Sequence, residues 1–401
     1  MLFNNYQLFI EIIAFLAVYR TVSQFIRIAI IRNLIIFASS IIILLNFSGE
    51  HSLIVLGLLS IVVFFAGKLL QKKRYSLLLF IFLFLVIFLF LIRNYLTFRL
   101  LINNTMLEFL SAPVISVQKL GLSYIIFRYV HWLVESKKGS INRSDVLSFL
   151  NYIFFFPSYL AGPIDQYRNF HYWIRNRRNK YSWTLFFAGV SRIFIGAVKT
   201  KLIVPFVIEY ALDYSVLLTD FSHSGALIIS LLAYSAYIYF DFSGYSDIAI
   251  GMAYLFGIKT PENFNNPYFS TNLSDFWKRW HITFSFFLKI YVFKPVIDLI
   301  NRIFKTKKRL PVSIAAYIIT FVICGIWHGD TINFVYWGLW HGLGLAVNKI
   351  WLTKVKPGLK FSETRMYMVL SIIITFVFVT VGWFFFNYQH DSIVKIMTEI
   401  F

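Results

Sequence analysis

The chain has 401 residues, of which 59% are hydrophobic and 20% aromatic, while charged residues make up only 14%. Soluble domains carry about 25% charge, so a single water-soluble globule is excluded. The formal net charge of +20 does not point to nucleic acid either: the basic residues gather on no polar domain and fall in short clusters between apolar runs.

In chain order, MLFNNYQLFIEIIAF lacks a basic n-region and a cleavage site, so its apolar part is expected to stay as a first membrane helix. Membrane-length segments, that one included, fall near 6–19, 30–46, 52–70, 75–92, 112–134, 147–162, 183–212, 222–257, 311–327, 331–351 and 367–388. The run from Tyr75 to Ile92 contains no charge. At the rise of a helix it would reach about 27 Å, close to the hydrocarbon thickness of a bilayer. The fold class predicted is therefore all-α, a polytopic membrane protein with about eleven transmembrane helices plus re-entrant or interfacial ones. No internal repeat and no loop long enough to fold alone appear, so residues 1–401 read as one membrane-embedded domain. The loops carrying Lys72-Lys73-Arg74, Arg175 to Lys180 and Lys305 to Arg309 are expected on the cytoplasmic side, because short basic loops resist translocation. Cys324 is the only cysteine, so no internal disulfide can form.

Polar side chains inside a membrane helix are costly and mark functional sites by default. In FFPSYLAGPIDQYRNF the Gly162-Pro163 pair stops a helix and leaves Asp165 and Arg168 at a boundary. In YFDFSGYSDIAIG, Asp241 and Asp247 interrupt an apolar helix, and Asp241 shares a face with Tyr245. The segment 261–295 opens as a loop, and Ser274 or Asp275 is placed to cap a helix from Phe276. That helix carries Trp277 and Trp280 beside Lys278, Arg279 and His281, which alone also suits an interfacial anchor. In CGIWHGD, His328 ends an apolar run, and Asp330 is placed to cap the helix that follows. His341, thirteen residues on, reads as structural. No metal cluster, nucleophile elbow or phosphate loop is present, which leaves the pair His281 and His328: a neutral imidazole in a dry site suits a general base, and an intramembrane histidine equally suits a satisfied structural role.

At these residues the sequence resembles the membrane-bound O-acyltransferase family, in its bacterial branch of the alginate O-acetylation and teichoic acid D-alanylation type. The match runs in order across 120–345 through LGLSYIIFR, FFPSYLAGPIDQYRNF, IYFDFSGYSDIAIG, NFNNPYFSTNLSDFWKRWHITFS and GIWHG. The resemblance implies helices around a central tunnel, with His328 as the catalytic histidine and His281 as a second required one. Trp280, Arg279 and Trp327 would line the substrate path with Asp241 and Tyr245, and the two histidines would approach each other. It implies no metal and no permanently bound cofactor. The acyl donor would be acetyl-CoA or an acyl carrier protein on the cytoplasmic side. The acceptor would be a glycan outside, with an extracytoplasmic esterase-like acetyltransferase as partner and the lipid bilayer of the inner (cytoplasmic) membrane as host. Acetyl transfer is placed first and D-alanyl transfer second. Lys289 and Ile290 depart from the Arg-Asp pair usual in the family. A proton-coupled transporter or flippase, or a scaffold with a decayed site, is the rival reading of the same intramembrane residues.

Overall fold

The computed structural model describes residues 6–25, 29–46, 50–72, 122–141, 144–159, 162–175, 182–305 and 309–400. The apolar run 75–92 lies outside the described residues, as do 73–74, 176–180 and 306–308 of the basic loops assigned above to the cytoplasm. Every described element is helical. Among the described residues, four helices are long and apolar enough to cross a membrane: Leu53–Leu70, His223–Leu255, Arg309–His328 and Arg365–Asn387.

The eleven crossings expected from hydropathy are not reached among the described residues, and two segments show why. The one expected at 147–162 stops early: helix Val146–Phe154 has 9 residues, followed by a 3-10 turn Phe156–Ser158 built on Pro157. Nine residues rise only about 14 Å, half a hydrocarbon layer. The one expected at 183–212 divides into helices Trp183–Val198 and Val204–Leu212, joined by a π turn at Lys199–Ile203. Two more π turns occur at Lys289–Phe293 and Trp351–Val355. Pro205, Pro295 and Pro357 each follow one within two residues. A proline donates no N–H to the carbonyl four residues back and its ring crowds that carbonyl, so the turn before it widens.

Packing divides the chain into two compact units, Met1–Gly196 with Tyr245–Pro261 and Ala197–Gly244 with Glu262–Phe401. In the first, Trp132 packs on Phe149 and Phe64 with ring centres 4.5 and 5.5 Å away. Its indole N–H donates to the Val63 carbonyl at 3.1 Å, so the largest side chain of this core has no unpaired donor. Asp247, one of the intramembrane carboxylates, is paired with Arg192 at 2.7 Å in this unit. That pair gives Asp247 a structural partner, which removes the need for a catalytic one.

In the second unit the helices Arg309–His328 and Ile332–Ile350 form a hairpin turned by residues 329–331. The N-cap of its second arm is Thr331, and Asp330 is exposed, which corrects the cap expected at Asp330. The two backbones touch: a Cβ at Gly325 would overlap the Phe334 carbonyl, and one at Gly338 would overlap the Phe321 carbonyl. Gly338→Val is therefore expected to lower the melting temperature in detergent by pushing the arms apart, at a cost of about 1–3 kcal/mol or more. Val347→Ala, on the 65% exposed side of the same arm, should leave it within about 0.5 kcal/mol.

Candidate active site

The second unit carries a helix break that positions a histidine. Asn272 caps helix Leu273–Arg279, its side chain accepting from the Asp275 N–H at 3.0 Å. This corrects the cap expected at Ser274 or Asp275. The helix predicted to run on from Phe276 instead stops at Trp280, and a second helix, Ile282–Leu288, starts one residue later. Between them His281 takes a left-handed backbone, φ 42 and ψ 55. A side chain other than glycine is held there at a cost of roughly 1–3 kcal/mol, and such strain persists where surrounding bonds over-determine it. The loop before the helix supplies those bonds. The Ile282 N–H donates to the Asn263 carbonyl at 2.9 Å, and the Asn265 N–H donates to the Arg279 carbonyl at 3.0 Å.

His281 is buried, its ring edge-on to Phe242 at 4.7 Å and tilted against Phe284 at 5.0 Å. His328, the last residue of Arg309–His328, lies 6.4 Å from the same Phe284 ring. One phenyl group thus stands beside both imidazoles. His328 is half-buried and ringed by Trp327 at 4.6 Å, Phe386 at 4.9 Å, Trp337 at 5.0 Å and Phe334 at 6.2 Å. Gly329 leaves room for this ring set, since a Cβ there would strike the Phe334 ring. Trp337 in turn lies 4.9 Å from His341, which is fully buried with neither ring nitrogen hydrogen-bonded. Such a site can strip water from a hydroxyl and hold a neutral imidazole beside it, which general-base chemistry requires.

A family model described as MBOAT, the membrane-bound O-acyltransferase family, matches residues 28–390. The chain belongs to the membrane-bound O-acyltransferase family. It is a membrane-integral O-acyltransferase. Among curated relatives, it is 33% identical to a teichoic acid D-alanyltransferase of Bacillus subtilis (strain 168) over 279 residues, 67% of this chain and 68% of that one. It is 36% identical to a peptidoglycan O-acetyltransferase of Helicobacter pylori over 274 residues, 66% of this chain and 48% of that one. It is 27% identical to a probable alginate O-acetylase of Pseudomonas aeruginosa, covering 51% of that protein. The chain thus aligns with about half the length of the two acetyl-transferring relatives.

Of the residues named from sequence, the second unit sets His281, Trp327 and His328 around the Phe284 ring, and carries Trp280 and Arg279 on the turn and helix just before His281. Trp280 is buried and stacks on Phe276 at 5.6 Å with Phe264 and Trp383 close by. Arg279 pairs with Asp275 at 3.0 Å on its own helix. Trp327 lies against Phe284 at 4.7 Å. Asp241 is exposed on His223–Leu255, one residue before the Phe242 ring that meets His281. Tyr245 groups with the first unit, where it packs on that unit's apolar core. Lys289 is exposed and opens a π turn in the place of the family's Arg-Asp pair. Asn263, Thr283, Phe284 and Phe386 were not singled out from sequence. Asn263 opens a stretch that carries the family resemblance, but its residue types read locally as a loop, and the phenylalanines cannot be told from core residues by type.

Proposed function

We propose that the protein transfers a small acyl group from a cytoplasmic-side thioester to hydroxyls of a cell-envelope polymer, with His328 as general base. The observation that carries this reading is the placement of His281 and His328 against one phenylalanine in the helical unit that bears both family motifs. His328 would take the proton of the acceptor hydroxyl as its oxygen attacks the acyl carbon, then pass it to the departing thiolate. The donor is acetyl-CoA or a loaded acyl carrier protein. Both substrates would reach His328 along a passage from opposite faces of the inner membrane, with Trp280, Trp327 and Asp241 along it. Arg279 would orient the acceptor by giving up part of its pairing with Asp275. An extracytoplasmic esterase-like partner would carry an acetyl group onward.

Acetyl is the group we place first, supported by the 36% identity to a peptidoglycan O-acetyltransferase. D-alanyl is supported by the alignment with 68% of the length of a teichoic acid D-alanyltransferase. Protein reconstituted in vesicles, given labelled acetyl-CoA or labelled D-alanyl carrier and a glycan or teichoic acid acceptor, separates the two. Alkali-labile label on the acceptor from one donor is the expected result. Label from neither donor, with dissipation of an imposed proton gradient, would replace this reading with a transporter.

A further inference from the structure

We infer that Asn263 is a positioning residue that fixes His281 as its Nδ1–H tautomer and so leaves Nε2 as the nitrogen that carries the lone pair and accepts hydrogen bonds. The inference rests on the acyl-transfer reading above only for its catalytic consequence. Its structural basis is the Asn263 side-chain oxygen, which three donors share. The Thr283 hydroxyl lies 2.6 Å from Oδ1, the Thr283 backbone N–H 3.4 Å and the His281 Nδ1 3.3 Å. A backbone N–H can only donate, so the amide atom facing Thr283 is the oxygen and not the nitrogen. A carbonyl oxygen can only accept, so the Nδ1 that faces it must carry a hydrogen. In a neutral imidazole the lone pair then sits on Nε2.

The backbone of Asn263 works in the same direction. Its carbonyl accepts from Ile282 N–H at 2.9 Å, on the residue that follows His281. One asparagine, itself fully buried, thus holds His281 from both its main chain and its side chain. That grip explains how a histidine stays at φ 42 between two short helices. The short bond from the Thr283 hydroxyl anchors the Asn263 oxygen, and the anchored oxygen is the one that faces the His281 ring. Outer partners of this kind fix which nitrogen of a histidine is reactive, and at metal sites their loss typically costs about 10–100-fold in activity.

The test reads the tautomer directly. Protein carrying ¹⁵N-histidine in lipid nanodiscs gives signals from eight imidazoles, and H281Q identifies the one from His281. The expected wild-type signal is a neutral ring with Nδ1 protonated and Nε2 bare. N263A should convert it to a tautomer mixture or to Nε2–H, and N263D, whose carboxyl oxygen still accepts from Thr283 and His281, should keep Nδ1–H. If N263A does not fold, N263S, too short to reach the ring, takes its place. In parallel, N263A should lower kcat for acyl transfer about 10–100-fold with KM for the donor little changed, and N263D should regain most of it. A wild-type ring protonated on Nε2, or a folded N263A with Nδ1–H intact, overturns the inference. Full kcat in a variant that has lost the tautomer overturns the catalytic consequence. A wild type that shows Nδ1–H but transfers no acyl group removes the proposed reaction and leaves the Asn263–His281 assignment standing.

Discussion

Replacing His328 with Ala is expected to lower acyl transfer by on the order of 10²–10⁴ while the protein stays inserted and folded. The ring contributes little that packing cannot absorb. It is half-buried, and Trp327, Phe334, Trp337 and Phe386 already contact one another or neighbouring rings around it. His328→Gln separates chemistry from shape. Glutamine is of similar length and keeps a hydrogen-bonding head, but it accepts no proton at neutral pH, so it should be nearly as inactive as Ala. Transfer of label from acetyl-CoA or D-alanyl carrier by wild type, H328A and H328Q in matched vesicles is the measurement. Much of the activity surviving in H328Q would assign His328 a packing role, and full activity in H328A would end the assignment as base. H341Q is the companion variant. It lies one tryptophan further from Phe284, so it should cost stability through the buried ring site and leave donor preference unaltered.

The pairing of His281 with His328 was legible because both are polar interruptions of apolar sequence and both sit in motifs with a family resemblance. The helix break between them was not. Phe276 to Leu288 keeps apolar residues at helical spacing, and nothing in the residue types announces that His281 will turn left-handed. That conformation is imposed from Asn263, eighteen positions upstream, through a hydrogen bond that local periodicity does not report. Among the described residues the count of crossings falls short of eleven for a related reason. Hydropathy sees 147–162 as one apolar stretch, yet the helix ends at Phe154, before Pro157, after half a bilayer. Pro205, Pro295 and Pro357 were in plain view, and the widened turns before them follow from proline chemistry once a continuing helix is assumed. Asp241 and Asp247 look alike in sequence, six residues apart on one helix. Only the position of Arg192 on another helix shows that Asp247 is an ion-pair partner.

Arg128 is the residue whose loss should do most damage away from the histidines. It ends the LGLSYIIFR motif, and in the first unit its guanidinium is 2% exposed. Nη1 donates to the carbonyls of Tyr152 at 2.7 Å and Ile153 at 2.6 Å, while Nη2 donates to the Ser158 carbonyl at 2.6 Å and to its hydroxyl at 2.9 Å. Those acceptors are the orphans of a helix end. Helix Val146–Phe154 stops where Phe155 leaves helical geometry at ψ 102, and Pro157 has no N–H to offer its last turn. A planar fork reaches both sides of the break at once, which a single ammonium cannot do. Arg128→Met keeps the length and apolar stem but strands three buried carbonyls at about 1–3 kcal/mol each. A loss on the order of 3–5 kcal/mol is expected, enough to unfold much of the protein at 37 °C. Arg128→Lys should fall between, because one amine satisfies part of the set. Thermal unfolding in detergent, followed by tryptophan fluorescence, reads both. Trp132, on the same helix and packed on Phe149, reports this unit directly. Equal melting of R128M and wild type would mean that the helix end at Phe154 is stabilised without the guanidinium. Reduced melting with unchanged transfer per folded molecule in R128K would place the arginine in architecture and leave the chemistry with the histidines.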